Sequence, residues 1–395
     1  MHKRLFSLIL SLALVSAALV FLPTGATAAD DGIGIGVISD LSGPTSSVGK
    51  PYADGIMACI EYLNSKGGIN GKLIKPIQVD YAYDVQQALT AYKRFKDAGI
   101  VALQGWGTAD TEALTGFVNK DKIPTLSASY SAHLTDPKKA PYNFFVAADY
   151  STQLRAALKY LKENWKESRA PKVAFVYPNA PYGLAPIPAG KEYAKELGFD
   201  VVGEEIVDLK ATEAATQLLR LQKSEPDFIW LGGTTPSCAV VMKDANKLQS
   251  KAVFFTNIWG ADENIFKLAG PAAKGQISLQ TAVVYNDSTP GNKIIQQVTN
   301  NQPQMTHYIR GFASMLVMAE ALERASAKGE LTGPSIKEAL ETLRDYDPMG
   351  LTPPITFLPD DHRPNMSVKL YRLGDDAMEL LATETLERKP EWLGK

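Results

Sequence analysis

Apolar residues recur along this chain in two alternating rhythms. Short apolar runs at Ile33–Ile38, Ile77–Tyr81, Ile100–Leu103 and Pro124–Ser127 each end in a polar or glycine-rich turn. Longer stretches follow in which apolar residues return every three or four positions. The first rhythm has the length and flanks of a buried strand, and the second has the helical period. The pattern predicts helices from the Ser42-Gly43-Pro44 turn through Asn64, over Gln86–Asp97, and from about Thr111. Repeated strand-loop-helix units imply a parallel sheet covered by helices on both faces. Near residue 150 the series restarts with a helix over Thr152–Asn164, and VAFVYPNAPYG then repeats the layout of IGIGVISDLSG. Helices near 188–197, over Thr212–Lys223 and near 237–248 alternate with strands Val201–Ile206, Phe228–Leu231 and Val253–Thr256. MSVKLYRL and MELLATETL read as late strands that return to the body. The pattern therefore predicts two similar α/β lobes. No low-complexity linker separates them, so a structured hinge is expected.

The ends and the composition narrow the class. His2, Lys3 and Arg4 precede an uncharged apolar stretch from Leu5 to Leu22, and Ala26-Thr27-Ala28 is a small-x-small cleavage site. Residues 1–28 thus read as a secretory signal peptide, with Pro23 and Gly25 favouring cleavage over retention as an anchor helix. No cysteine follows the apolar run to carry a lipid, and the expected mature protein is exported and soluble. Removing 28 of 395 residues leaves more chain than one core normally serves, again pointing to two domains. A net charge of −2 with no Lys/Arg run argues against nucleic acid and against an anionic membrane surface. The two cysteines, Cys59 and Cys238, fit no metal spacing. They read as two separately buried thiols, although export would permit a disulfide.

Signals for catalysis are thin. The glycines of Gly32-Ile33-Gly34-Ile35-Gly36 fall inside a strand, whereas a dinucleotide fingerprint needs them at a helix entrance. No GxxxxGK[ST], HExxH or GxSxG occurs, and His133, His307 and His362 are isolated. Nothing in the sequence calls for a cofactor or metal. Cys238 near a helix N-terminus is the one candidate nucleophile, for a secreted hydrolase, and it lacks an obvious general base. A ligand-sensing regulator would need a DNA-binding or membrane-signalling segment, and none is evident.

Small hydroxyls and aromatics gather after the strands. Trp106 and Thr108 follow the third, and Ser127, Ser129, Tyr130 and Ser131 the fourth. Tyr182 follows VAFVY, Thr234 follows FIWLGG, and Trp259 follows VFFTN. Ligands of open α/β sheets bind outside the carboxyl ends of the strands. Ordinary turn chemistry accounts for Ser, Thr and Gly. It does not account for tryptophans and tyrosines, which are costly in loops unless they cover a ligand or a partner.

With these residues in view, the chain resembles the periplasmic substrate-binding proteins of ABC importers, of the branched-chain amino-acid (leucine/isoleucine/valine-binding) type. The resemblance spans essentially the whole mature chain. It rests on IGVISDLSGPTSSVGKPYADGIMACIEYLNSKGGINGK, on VYPNAPYG and on GPAAKGQ. It implies a two-lobed periplasmic binding protein fold of type I, with three crossover strands and ligand enclosed between the lobes. One lobe would be 32–147 plus 279–366, and the other 148–278 plus 367–395. The protein would be a periplasmic monomer that performs no chemistry, delivering its ligand to an ABC permease in the inner membrane.

The resemblance also assigns a pocket. Thr108, with Ser129 and Ser131, matches the hydroxyl and backbone clamp that holds a ligand carboxylate, and Tyr182 matches the pocket tyrosine of the second lobe. Amino-acid binders of the family hold the α-ammonium with acids at two places, where this chain carries Tyr150 and Trp259. Asp149 and Asp262 lie close by in sequence and are the alternative ammonium partners. The family's small disulfide is missing, its positions falling near Tyr83 and Trp106. The expected ligand is therefore a small carboxylate without an ammonium group, aromatic in one version of the reading. A branched-chain or other neutral amino acid is the alternative. The expected pocket is Trp106, Thr108, Ser129, Ser131, Tyr150, Tyr182, Thr234 and Trp259.

Overall fold

The computed structural model describes residues 32–329 and 331–395, so the leader expected over 1–28 lies outside the described residues. The first half is a run of parallel units: β1 (Ile33–Ser39), α1 (Ser46–Ser65), β2 (Ile74–Asp80), α2 (Val85–Asp97), β3 (Ala102–Gln104), α3 (Thr108–Asp121), β4 (Thr125–Leu126) and β5 (Asn143–Phe144). These strands form one sheet in the order β2-β1-β3-β4-β5, every pair parallel. The glycines within β1 serve packing. A Cβ on Gly36 would lie 2.8 Å from Phe95 of α2 and 2.9 Å from Leu103 of β3, so the helix can settle on the sheet only over a bare backbone.

The second series begins with α4 (Tyr150–Glu163), capped by Asp149, whose carboxylate accepts from the Thr152 amide at 2.8 Å and the Thr152 hydroxyl at 2.7 Å. It continues through β6 (Lys172–Tyr177), α5 (Pro181–Leu184), α6 (Ile187–Glu196), β7 (Asp200–Ile206), α7 (Ala215–Gln222), β8 (Phe228–Leu231), α8 (Thr235–Lys247), β9 (Val253–Thr256), α9 (Ile265–Ala269) and β10 (Ile277–Gln280). Then come α10 (Pro290–Val298), α11 (Thr306–Ala327) and α12 (Gly333–Leu340), followed by a hairpin of β11 (Ser367–Leu373) and β12 (Met378–Thr385). The second sheet runs β12-β11-β10-β9-β8-β6-β7. Its β9, β8, β6 and β7 are parallel, and the late hairpin adds two antiparallel strands at the edge next to β10. The two expected lobes are thus two helix-flanked sheets. The late strands returned, as the sequence implied, but to an antiparallel edge.

α11 is the longest helix among the described residues, and the sequence pattern did not predict it. Its buried residues run from Thr306 through Ala319 without a break, so no polar face marks its period. A helix apolar all round lies inside the molecule. It packs on α1 at backbone distance: a Cβ on Gly311 would lie 1.9 Å from the Tyr52 carbonyl oxygen, and one on Gly55 2.0 Å from that of Tyr308. That contact sets Tyr52 of α1 and Arg310 of α11 beside the carboxyl ends of the strands.

Candidate functional site

β3 ends at Gln104, and Gly105-Trp106-Gly107 leads directly into α3. A Cβ on Gly107 would lie 2.3 Å from Asp110 Oδ1, so the turn needs glycine at that point. The helix opens at Thr108, earlier than the pattern predicted, which puts Thr108 itself in its first turn, where backbone N–H groups have no helical partner. Ser129 Oγ donates to Thr108 Oγ1 at 2.8 Å, and Ser131 Oγ lies 3.5 Å from Ser129 Oγ. The three hydroxyls form one buried chain, of which Thr108 faces the cavity between the sheets and the two serines stand behind it.

The second sheet supplies the opposite wall. Tyr182 donates to the Gly233 carbonyl at 2.8 Å and accepts from Asn257 Nδ2 at 2.7 Å, while Asn257 Oδ1 accepts from the Trp259 amide at 2.7 Å. Thr234 precedes α8, and its Oγ1 is buried and unpartnered at the cavity wall. The N-termini of α3 and α8 therefore both meet this cavity, an arrangement that favours negative charge. Burial raises the pKa of Tyr182, Tyr52 and Tyr130 alike, keeping these phenols protonated as donors.

Trp259 occupies the centre. Its Nε1 donates to the Tyr150 hydroxyl at 3.0 Å. Its ring lies parallel to Tyr130 with centroids 5.6 Å apart, and meets Trp106 at 5.0 Å and Tyr52 at 5.9 Å edge to face. The Trp106 Nε1 donates to Thr45 Oγ1 at 2.9 Å. What remains open is a cavity of about 20 Å³, room for about one water. A ligand of even moderate size needs Trp259 to move or the sheets to part.

The acids close to this cavity are committed elsewhere. Asp149 caps α4. Asp262 accepts from Thr235 Oγ1 at 2.7 Å, from the Asn264 amide at 2.7 Å and from His307 Nε2 at 2.9 Å. Those contacts, chiefly with His307, hold the Asp262 carboxyl below its ordinary range despite burial. Asp110 accepts from the Tyr81 hydroxyl at 2.8 Å and the Gly107 amide at 3.1 Å, and burial pushes its carboxyl up to about 6. Cys238 and Cys59 are both free and buried, and burial pushes the Cys238 thiol up to about 12, far from a reactive thiolate.

Trp106, Thr108, Tyr150, Tyr182, Thr234 and Trp259 all line the cavity. Ser129 and Ser131 reach it only through Thr108. Sequence reasoning missed Thr45, Val48, Ala128 and Tyr83 of the lining. Tyr83 and Trp106, near which the resemblance places the family's absent disulfide, both face the cavity. Arg310 was missed as well, because it lies in the helix the pattern did not mark.

A profile of the periplasmic binding protein family matches residues 32–377. An ABC transporter substrate-binding protein from Aeropyrum pernix superposes with a TM-score of 0.85 at 32% identity, covering 92% of this chain and 98% of its own. A branched-chain amino-acid ABC transporter protein from Thermus thermophilus, with bound valine, gives the same TM-score at 20% identity, over 90% of this chain and 97% of its own. The leucine-specific-binding protein of Salmonella typhimurium is 23% identical over 80% of this chain and 86% of its own length.

Proposed function

Because the chain belongs to the periplasmic binding protein family, we propose that it is the periplasmic receptor of an ABC importer, binding a small carboxylate that lacks an ammonium group and passing it unchanged to a permease. The lobes in this reading are 32–147 plus 279–366 and 148–278 plus 367–395, with residues 1–28 removed on export. Packing of α11 on α1 and return of β11 and β12 to the second sheet both support that division.

One observation carries the choice of ligand. The resemblance puts Tyr150 and Trp259 where amino-acid binders of the family place acids, and the neighbouring alternatives, Asp149 and Asp262, are already engaged by a helix cap and by His307. An ammonium buried without an anionic partner costs several kcal/mol, and a cation–π contact returns only about 0.5–2 kcal/mol. Aromatic walls suit a flat or branched acid, held at its carboxylate by Thr108 and the first turn of α3. Asp110 opposes an anion there, and its raised pKa lessens that opposition near pH 6.

Calorimetry at one salt concentration, with benzoate, cinnamate, branched 2-oxo acids and leucine, tests the reading. Acids are expected to bind more tightly than the matching amino acids. Thr108→Val should lose about ten- to hundredfold in affinity, the value of a hydrogen bond to a charged group. Tight leucine binding with no response to any acid overturns the proposal. It would favour the second reading, a branched-chain amino-acid receptor, which the valine-bound neighbour supports.

A further inference from the structure

Arg310 is fully buried, yet its Nε and Nη1 have no hydrogen-bond partner. Its Nη2 donates to the Ile258 carbonyl at 3.1 Å and to His307 Nδ1. With Nδ1 accepting, His307 carries its proton on Nε2 and gives that hydrogen bond to Asp262. Asp262 therefore answers Arg310 only at one remove, through a neutral imidazole. Glu263, the other acid nearby, accepts from the Thr306 amide with both oxygens at 3.1 Å. Two more donors, the hydroxyls of Tyr52 and Tyr130, are buried close to Arg310 and also lack a well-formed hydrogen bond.

A buried guanidinium with two bare nitrogens is an expensive arrangement for a purely structural role. What covers it is the Trp259 ring, 4.1 Å from the guanidinium carbon. The same ring is a wall of the cavity that Thr108 faces. Movement of one side chain would thus join the hydroxyl clamp and the cation into a single site.

We propose that Arg310 is the second anion-binding residue of this receptor, and that its ligand is a dicarboxylate whose first acid sits at Thr108 and whose second displaces Trp259 from Arg310. This rests on the reading of the chain as a carboxylate receptor and adds the number of charges. The second carboxylate meets the guanidinium together with the Tyr52 and Tyr130 hydroxyls. Neutral phenols and a cation form a donor-rich pocket, in which the guanidinium can only donate and the phenol O–H groups are able to, so an anion suits it better than a water or an alcohol.

The test pairs acids that differ by one carboxylate, using the full mature chain: glutarate against butyrate, and phthalate, isophthalate and terephthalate against benzoate. Calorimetry is expected to show at least one diacid binding tenfold or more tightly than its monoacid. In Arg310→Gln that ratio should fall to near one, and in Arg310→Lys it should fall only in part, because the charge stays while the planar fork is lost. Melting curves establish that each variant folds, and if the Gln variant does not, the ratio in the Lys variant decides. A wild type that binds every monoacid as tightly as its diacids overturns the dicarboxylate and leaves the carboxylate receptor standing. So does an Arg310→Gln protein that keeps the preference. Binding of leucine alone, or of no acid, overturns both.

Discussion

Asp110 shows how much a single buried carboxyl can say. Its pKa of about 6 means that the folded chain holds a proton which the unfolded chain gives up near pH 4. Between those values folding takes up protons, so the stability that Asp110 contributes at low pH is lost as pH rises to about 6. At about 1.4 kcal/mol per pH unit, the loss is on the order of 3 kcal/mol for this fully buried group. Melting temperatures of wild type and Asp110→Asn, followed from pH 4 to 7, should diverge in slope, with the variant lacking the decline. Parallel curves would mean that Asp110 titrates normally. Asp110 also marks the limit of residue-level reading. Trp106 and Trp259 were legible because indoles in loops after strands are chemically out of place, and Thr108 through the resemblance of its turn. Whether Asp149 and Asp262 were free to hold an ammonium was not legible, since their partners Thr152, Thr235 and His307 are chosen by backbone geometry.

Elements were legible in proportion to their exposure. A helix such as α2 keeps a solvent face, so its period is written in alternating residue types. α11 has no such face from Thr306 through Ala319, and the signal that could have found it is the run of small and apolar residues itself. Its contact with α1 makes a sharp expectation. Gly311→Ala would drive a methyl into the Tyr52 carbonyl, an overpacking that costs about 1–3 kcal/mol or more. Denaturant unfolding should show that loss, and ligand affinity should fall with it, because both Tyr52 and Arg310 shift when the helices separate. An alanine variant with unchanged stability would contradict the close approach. α3 gives the complementary case: its pattern was read from about Thr111, and the earlier start at Thr108 depends on the Gly107 turn rather than on any apolar residue.

Across the whole molecule, the two sheets stand close enough that the loop 258–264 of one side is hydrogen-bonded to the start of α11 on the other. On the proposed reading, admission of a ligand breaks some of these contacts and its binding restores closure. Small-angle scattering should therefore register a smaller radius of gyration when a bound acid saturates the protein; an unchanged radius would contradict hinge closure. Two lobes were foreseeable from the restart of the strand-helix series near residue 150. The antiparallel hairpin at the sheet edge was not predicted, although the short connection over 374–377 was the signal for it, since parallel neighbours need a longer crossover. The indole at the centre has a consequence of another kind. In the proposed site Trp259 competes with every solute, tethered and always at hand. Every solute's apparent affinity is reduced by the share of molecules in which the indole is seated. The ranking among solutes survives this, and each needs a proportionally higher concentration to fill the receptor. On the proposed reading, one side chain thus rescales the solute concentrations to which uptake responds, without changing which solute it prefers.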